Sequence, residues 1–236
     1  MKPYKLKAPV IVDLYQEEHP VKWAEMKPLP YRALLQCTKG QFHKDTHCAT
    51  YIEECNALGI KYGLYHFLSP NNINEQVELY KQTVKELGGL GHFPPIVDVE
   101  FEPPKIQKAK KGKNVHAINF PRGKQWAVQI KIFLDATEKW SKQKPMIYTN
   151  RFYWEFTYDG DNPPDWTDDY PLWVAWYPKP TSVDKNDLPR DSRMPKGWTK
   201  WALWQYSESG RTDGYLANDY SIISPEYQAT LDAKFP

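Results

Sequence analysis

The 236-residue sequence has little net charge, few cysteines and no apolar run long enough to cross a membrane. Lysine and arginine total 31 and aspartate and glutamate 29, so the formal charge is +2. No global field therefore favours nucleic acid or an anionic membrane as a partner. The N-terminal residues lack the basic, apolar and small-residue order of a signal peptide. Any partner has to be inferred from local features of the chain.

Cysteine is too scarce to organise the fold, and an odd count cannot pair completely within one chain. The three residues are Cys37, Cys48 and Cys55. None has the Cys-x-x-Cys spacing of a redox or metal site, so buried reduced thiols are expected. A metal-dependent hydrolase is the alternative, with His43 and His47 as ligands if their segment is helical. Asp45 between them is instead the predicted N-cap of a helix, so we expect no metal or other cofactor.

Aromatic residues are abundant. Ten Trp, sixteen Tyr and nine Phe make up 15% of the chain, within a composition that is 41% hydrophobic and 25% charged. That composition is ordinary for a soluble globular protein with a substantial core. We expect most rings to fill this core, although aromatic faces also stack on the C–H faces of sugars.

The order of predicted strands and helices indicates an α/β domain. Seven short apolar segments are predicted strands: 10–14, 32–36, 61–67, 95–100, 145–148, 172–176 and 202–206. Helices are predicted from Asp45 to just before Gly59, over about 74–87 and over about 124–142. Strands that alternate with helices favour a parallel sheet, which can close as a barrel. Beyond 145 the alternation decays, and 158–171 and 178–196 are predicted loops. The sequence therefore predicts one domain over 1–236, an irregular, incomplete TIM-like (β/α) barrel with its core at about 10–225.

Two carboxylates end one of the predicted strands. The segment 93–100 reads Phe-Pro-Pro-Ile-Val-Asp-Val-Glu, and alternation along a strand places Asp98 and Glu100 on the same side, roughly 6.5–7 Å apart at their backbones. Barrel active sites assemble at the C-terminal ends of the strands. Neighbouring carboxylates raise the proton affinity of one and leave the other ionised, which suits glycosidic cleavage. An Asp-x-Glu pair alone is also consistent with loop solvation or a salt bridge.

Other strand ends carry polar and aromatic residues. They are Asp13, Tyr65, His66, Tyr148, Trp176, Tyr177, Gln205 and Tyr206, with Asp219 shortly after. Taken singly, Asp13 would cap a turn, His66 would be a hydrogen-bonded core imidazole and Asp219 would solvate a terminal loop. Together these residues would surround one barrel mouth with acids, an amide and aromatic faces, an arrangement typical of sugar sites.

The order of motifs resembles that of the family 25 glycoside hydrolases. The matching segments are 11–13, 37–40, 57–67, 94–100, 147–149, 172–177, 204–207 and the late Asp219. They occur in the family's order over nearly the whole chain. The most specific of them are Gly-x-Tyr-His-Phe at 63–67 and Pro-Pro-x-x-Asp-x-Glu at 94–100.

This resemblance implies an irregular barrel and a muramidase that cuts the β-1,4 bond between N-acetylmuramic acid and N-acetylglucosamine in bacterial peptidoglycan. Glu100 would be the general acid/base, and Asp98 would steady the attacking N-acetyl group or the charge at the anomeric carbon. Asp13 and Asp219 would complete an acidic ring. The expected glycan contacts are Tyr65, Tyr148, Trp176, Gln205 and Tyr206. The spacing leaves covalent and N-acetyl-assisted mechanisms open.

The chain departs from the family pattern at two places. After Asp13 the family usually has Ser and then Gln-Gly, whereas this chain reads Leu-Tyr-Gln-Glu-Glu over 14–18. Where the family often has Lys-Ala-Ser/Thr-Glu-Gly, this chain has Gln-Cys-Thr-Lys-Gly over 36–40. A catalytically inactive glycan-binding barrel is the alternative function, but retention of the four acids argues against it.

A basic insertion at about 103–124 contains seven lysine or arginine residues. A solvated loop is the simpler interpretation, and an electrostatic grip on an anionic wall polymer is the alternative. The expected site of action is the bacterial cell wall. The absence of a signal-like N-terminus would suit a phage protein released from the host cytoplasm or carried in the virion, or a mature chain that has lost its leader.

Overall fold

The computed structural model describes residues 10–23, 26, 29–100, 123–158, 162–177, 189, 193–212 and 215–235. These residues form nine strands: β1 (Ile11–Leu14), β2 (Arg32–Lys39), β3 (His43–Lys44), β4 (Lys61–Phe67), β5 (Ile96–Asp98), β6 (Met146–Asn150), β7 (Leu172–Ala175), β8 (Leu203–Thr212) and β9 (Tyr215–Ile223). They also form five α-helices: α1 (Cys48–Leu58), α2 (Ile73–Glu86), α3 (Lys124–Ser141), α4 (Arg151–Thr157) and α5 (Pro225–Lys234).

Eight of these strands close a barrel. Around the barrel the order is β1, β2, β4, β5, β6, β7, β8 and β9, and β9 returns to β1. Neighbouring strands are parallel except at β9, which runs antiparallel to both β8 and β1. The short β3 extends the end of β2 as an antiparallel hairpin. The predicted irregular TIM-like barrel is therefore confirmed, and the antiparallel strand is its irregularity.

Side chains alternate between the two faces of the barrel wall, as the period of two along a strand requires. One buried cluster fills the interior, with Ile11, Leu34, Ile96, Met146 and Leu203 among its members. The residues next to them along the chain belong to a second cluster between the barrel and the helices: Val12, Leu35, Val97, Ile147 and Trp204. Helix α5 packs Leu231 against the inner cluster, beside strand starts, and so covers the end of the barrel opposite the strand C-termini.

Helices α2 and α3 each bury one apolar stripe against the outer cluster. In α2 this stripe includes Val77, Tyr80 and Val84, and in α3 it includes Ile130 and Phe133. The hydroxyl of Tyr80 also donates to the Leu64 carbonyl at 2.9 Å, which joins α2 to β4. These contacts hold the outer face of the barrel wall in place.

The start of α1 differs from the prediction. His47 is the N-cap, not Asp45. The Asp45 carboxylate accepts from the His47 backbone N–H at 2.9 Å and from the Gln16 backbone N–H at 2.8 Å. Because both oxygens are used in this way, Asp45 ties the turn after β1 to the turn before α1.

Several elements were not predicted from the sequence, namely β3, β9, α4 and α5. The predicted loop at 158–171 contains a short 3-10 turn at Thr167–Asp169. Most of the predicted loop at 178–196 and of the basic insertion at 103–124 lies outside the described residues. Among the described helices, none has the length and apolar character needed to span a membrane.

Candidate active site

Four carboxylates meet at the C-terminal ends of the barrel strands. Asp13 lies in β1 and pairs in register with Asp219 of β9, so two acids face each other across adjacent strands. Asp98 is the last residue of β5, and Glu100 follows two positions later. The charges of these four groups act on one another, which places the predicted acids in one electrostatic group.

The amide of Gln205 connects this group to two tyrosines. Its nitrogen donates to the Asp13 carboxylate at 3.1 and 3.3 Å and to the Asp219 carboxylate at 3.3 Å. Its oxygen accepts from the hydroxyls of Tyr148 at 2.8 Å and Tyr177 at 2.7 Å. With both ends occupied, this buried amide has one orientation and holds the two aspartates at fixed positions.

Asp98 lies deep in the mouth, with 6% of its surface exposed. Its Oδ1 atom has no hydrogen-bond partner among the described residues. Burial is the main cause that raises its pKa well above the usual value, and the charges of Glu100 and Asp13 add to the effect. Lys39 opposes it. The ionised form of this carboxyl is therefore poorly solvated by the protein alone.

Glu100 is only partly buried, and the backbone contacts of the preceding residue, Val99, set its direction. The Val99 N–H donates to the Tyr148 carbonyl at 2.9 Å, and the Thr149 hydroxyl donates to the Val99 carbonyl at 2.8 Å. Val99 is thereby held in the outer cluster, and alternation turns Glu100 to the inner side. Burial, with the charge of Asp219 next, raises the pKa of Glu100 to about 7, while Lys39 lowers it.

The other two acids also bind protons more readily than usual. Burial and then the charges of Asp219 and Glu18 raise the pKa of Asp13 well above its usual value, although the hydrogen bond from Gln205 opposes this. Burial and the charge of Glu208 raise the pKa of Asp219 to about 6. Burial and mutual repulsion oppose ionisation of every carboxyl, so the group retains a proton near neutral pH. Such a group can supply a proton and a negative charge to the same bound molecule.

Two of the predicted aromatic contacts line the interior beside these acids. Tyr65 and Tyr148 both belong to the inner cluster and pack against Trp173, with ring centroids 6.4 and 4.5 Å from it. The Trp173 indole N–H donates to the Ser221 hydroxyl at 3.0 Å. The structure therefore brings Tyr65, Tyr148 and Gln205 together with the four acids.

Trp176 and Tyr206 are not brought to this group. Trp176 stacks on Trp204 at 5.6 Å, and the Arg193 guanidinium covers its ring at 3.9 Å. Tyr206 is buried in the outer cluster against Tyr220. Each residue lies an odd number of positions along the chain from an inward-facing residue of its strand, so alternation turns its side chain outward. The prediction placed them at the mouth because it counted strand ends and not strand faces.

His66 also lies on the outer face, as a core imidazole. Its ring nitrogens contact the Thr38 hydroxyl at 2.8 Å and the Gln76 amide oxygen at 3.2 Å, and its ring stacks on Phe133 at 4.8 Å. Burial lowers its pKa to about 3. The imidazole is therefore neutral at physiological pH and takes no part in the acid group.

Sequence reasoning missed several residues of the mouth. Tyr177 was named at a strand end but not among the glycan contacts, although alternation from the inward Trp173 through Ala175 turns it inward. Glu18 lies in a 3-10 turn after β1, accepts from the Tyr15 N–H at 2.9 Å and has its pKa raised to about 8, chiefly by burial. Lys39 and Glu208 act on the acids through their charges. Glu18 depends on a turn, whereas Lys39 and Glu208 lie in β2 and β8 and are identified only by the charges that they place near the acids.

The proposed alternative metal ligands lie apart from the acid group. His43 is in β3, and His47 caps α1 and stacks on His19 at 3.9 Å. The described part of the chain contains no group of three His, Cys, Asp or Glu residues that could hold a metal ion. The three cysteines are buried free thiols.

Comparison with known proteins finds lysozymes of similar sequence and fold. Lysozyme M1 from Streptomyces globisporus is 24% identical over 210 residues, which cover 86% of this chain, and the chain spans 63% of the length of that protein. The crystal structure of a lysozyme from Streptomyces coelicolor superposes with a TM-score of 0.71 at 19% identity, covering 96% of this chain and 97% of that chain. A family 25 lysozyme from Aspergillus fumigatus gives a TM-score of 0.68 at 21% identity, over 94% of this chain and 97% of that chain.

The structural likenesses concern the fold. The family follows from the sequence itself, because the model of glycosyl hydrolases family 25 matches residues 12–215, from the strand that carries Asp13 to the start of β9. The chain belongs to glycosyl hydrolases family 25.

Proposed function

We propose that this protein is a lysozyme of the muramidase type, which hydrolyses the β-1,4 bond between N-acetylmuramic acid and N-acetylglucosamine in bacterial peptidoglycan. The observation that carries the proposal is the acid group at the mouth, where Asp98 and Glu100 both have raised pKa values and share an inner face. Glycoside hydrolysis requires a proton donor and an anion at one bond. The relatives named above support the substrate class.

Glu100 is the proposed acid/base. It is the less buried of the pair, and its pKa of about 7 keeps a large fraction protonated at neutral pH. It donates a proton to the glycosidic oxygen as the bond breaks and then removes a proton from the attacking water. Asp98 lies deeper, and its ionised form, which the hydrogen-bond donors of a bound sugar would favour, steadies the positive charge that develops around the anomeric centre. A sugar at the mouth would also supply hydrogen-bond donors to its unpartnered Oδ1 atom.

The remaining residues have positioning roles in this proposal. Gln205 holds Asp13 and Asp219 in place, and the two aspartates orient the sugar and its acetamido group. Tyr65 and Tyr148 contact the glycan from the inner wall. Tyr177 takes the place that sequence reasoning assigned to Trp176. The acidic groups carry the chemistry in this proposal.

The site of action in this proposal is the bacterial cell wall. Release from a phage-infected cell, or carriage in a virion, is the proposed route to it. Most of the basic insertion, which would bind anionic wall polymer, lies outside the described residues. Charge reversal in that segment would weaken wall binding at low salt if the grip exists, and unchanged binding across salt concentrations would contradict it.

Mass spectrometry of digested peptidoglycan tests the chemistry. We expect new reducing ends of N-acetylmuramic acid from the wild-type protein and none from Glu100→Gln. New N-acetylglucosamine reducing ends would contradict the assigned bond. Tight binding without new reducing ends would contradict hydrolysis and support the inactive glycan-binding barrel.

A further inference from the structure

A cleft lies beside the acid group, at the end of the barrel wall formed by β1, β2 and β4. Its volume is about 410 Å³. The residues that line it include Tyr15, Glu17, Gln36, Lys39, Phe42, Ser69 and Asn71. Tyr15 follows Asp13 by two residues, and Gln36 is a buried inward side chain of β2. This cleft therefore borders the inner face that carries the acids.

The lining has the composition of a sugar-binding surface. The Phe42 ring is 80% exposed and Tyr15 is 40% exposed, so two aromatic groups are available to a bound molecule. Amide and hydroxyl groups from Gln36, Ser69 and Asn71 lie around them. Exposed rings stack on the apolar faces of sugars, and amides and hydroxyls bond to their hydroxyl and acetamido groups.

Lys39 lies on the boundary between the cleft and the acids. It is the last residue of β2, and its Nζ atom lies 4.5 Å from the centroid of the Phe67 ring. Phe67 pairs in register with Asp98 on the neighbouring strand. The ammonium group therefore faces the cleft on one side and the end of β5 on the other.

A positive charge at this boundary would reduce the electrostatic repulsion between the mouth and an acidic substrate. Four carboxyl groups repel any substrate that itself carries carboxylates, as a muramic acid chain does. A cation next to the acids, at the cleft where an adjoining sugar would lie, offsets this repulsion for a carboxylate at that point. A neutral N-acetylglucosamine polymer would gain nothing from the cation.

We propose that this cleft binds a sugar next to the scissile bond and that Lys39 recognises a carboxylate carried by that sugar, making the enzyme selective for acidic glycans over neutral ones. The inference rests on the proposed function and assigns its substrate selectivity to one side chain. The carboxylate is either that of the muramic acid lactyl group or one in an attached peptide. Both sources present the same anion to the ammonium group.

The test compares kcat/KM on three forms of one glycan. The first form is peptidoglycan strands with their peptides, and the second is the same strands stripped by an amidase, which frees the lactyl carboxylate. The third is the stripped strands with their carboxyl groups reduced to alcohols. Wild-type protein is compared with Lys39→Met, with Lys39→Arg and with Lys44→Met. Lys44 is the matched control, because it lies on the same hairpin and bonds to Glu86 at 2.6 Å, away from the cleft lining.

We expect the wild-type protein to prefer a carboxylate-bearing strand over the reduced strand by about tenfold, the value of one hydrogen-bonded ion contact. Lys39→Met should bring this ratio close to one, while Lys39→Arg and Lys44→Met should keep it. The ratio is the decisive quantity, because a merely structural role of Lys39 would lower the rates on all strands together. Preference for the stripped strand identifies the lactyl group as the source, and preference for the intact strand identifies the peptide.

Two results would overturn the inference in distinguishable ways. If the wild-type protein cleaves all strands and Lys39→Met keeps the wild-type ratio of kcat/KM values, Lys39 does not recognise the carboxylate. The muramidase proposal would still stand. If the wild-type protein cleaves none of the strands, the proposed function fails and this inference fails with it.

Discussion

The two faces of the same barrel wall carry buried polar groups of opposite character. On the outer face, the His66 ring has a partner for each nitrogen, and the Gln76 amide also accepts from the Ser69 N–H and donates to the Ser69 carbonyl, at 2.9 and 2.8 Å. On the inner face, Asp98 has an oxygen atom without a partner and lies among other acids. One cluster is saturated with hydrogen bonds, and the other is not.

This difference separates groups that support the fold from groups that are available for chemistry. A satisfied buried network adds to stability, and removal of one member leaves its partners unpaired. A cluster of like charges costs stability and is retained where a raised proton affinity is useful. Substitutions on the outer face should therefore reduce stability, and substitutions on the inner face should reduce activity. The predictions below test this separation.

The largest effect is expected from Asp98→Asn. Loss of the anion should lower the hydrolysis rate about 10³-fold, which is the usual scale for removing one electrostatic contact to a transition state. The melting temperature should stay the same or rise, because repulsion from Glu100 and Asp13 is relieved. Rates of wall clearing and thermal unfolding measure the two quantities. Asp135→Asn on the surface of α3 is the matched control. Retained activity in Asp98→Asn would contradict the assignment of the inner face to catalysis.

On the outer face, Gln76→Leu should cost about 2–3 kcal/mol in the free energy of unfolding, because it leaves buried partners at His66 and Ser69 unpaired. Urea unfolding measures this loss. The pH profile of hydrolysis should keep its shape. Gln82→Leu is the matched control, because Gln82 lies exposed on the same helix and bonds to Glu86. Equal stability of the two variants would show that the network contributes nothing.

The pH dependence of stability should have opposite signs for the two faces. Burial raises the pKa of Glu18 from 4.5 to about 8, so its contribution to stability is full below 4.5 and lost as the pH rises towards 8. Burial lowers the pKa of His66 from 6.5 to about 3, so its contribution is full above 6.5 and lost as the pH falls towards 3.

The melting temperature is therefore expected to peak at mildly acidic pH. Glu18→Gln should flatten the decline on the alkaline side and leave the acidic side unchanged. Melting curves of both proteins between about pH 4 and 9 would measure this. Parallel curves would show that Glu18 titrates alike in the folded and unfolded chains.

A smaller effect is expected from Tyr177→Phe. The substitution removes one of the two hydroxyl groups that bond to the Gln205 oxygen, and Tyr148 remains to hold the amide. We expect a fall in kcat of about fivefold, corresponding to roughly 1 kcal/mol for one neutral hydrogen bond. Tyr206→Phe is the control, since that ring lies in the outer cluster. An equal loss in both variants would contradict the assignment of Tyr177 to the mouth.

The smallest effect is expected from Glu208→Gln. The charge of exposed Glu208 raises the pKa of Glu100, so its removal should lower that pKa. The protonated fraction of Glu100 would then be lost at lower pH, and the alkaline limb of the hydrolysis profile should move to lower pH by a fraction of a unit. A pH–rate profile at low salt measures it, because salt screens exposed charges. A limb that moves to higher pH would contradict the electrostatic role of Glu208.

Much of the barrel was predictable because strands and helices each require a regular spacing of apolar residues in the sequence. The predicted strands at 61–67 and 172–176 agree with β4 and β7 to within one residue, and α3 was placed within one residue at its end. The antiparallel β9 was missed, because its sequence mixes polar and apolar residues without a clear period. Trp176 and Tyr206 were assigned to the mouth because position along a strand was considered without its facing side.

The sequence by itself determined which residues alternate, that Asp13 and Asp98 fall at the ends of predicted strands with Glu100 two residues after Asp98, and which family the motifs resemble. Only the tertiary structure decided which face of each strand points inward, and it alone brought Glu18, from a turn, and Lys39, from the end of β2, to the acids. The physical reason is that periodicity is a local property of the chain, whereas proton affinity depends on burial and on charges from distant segments. The raised pKa values at the mouth exist only after the barrel closes.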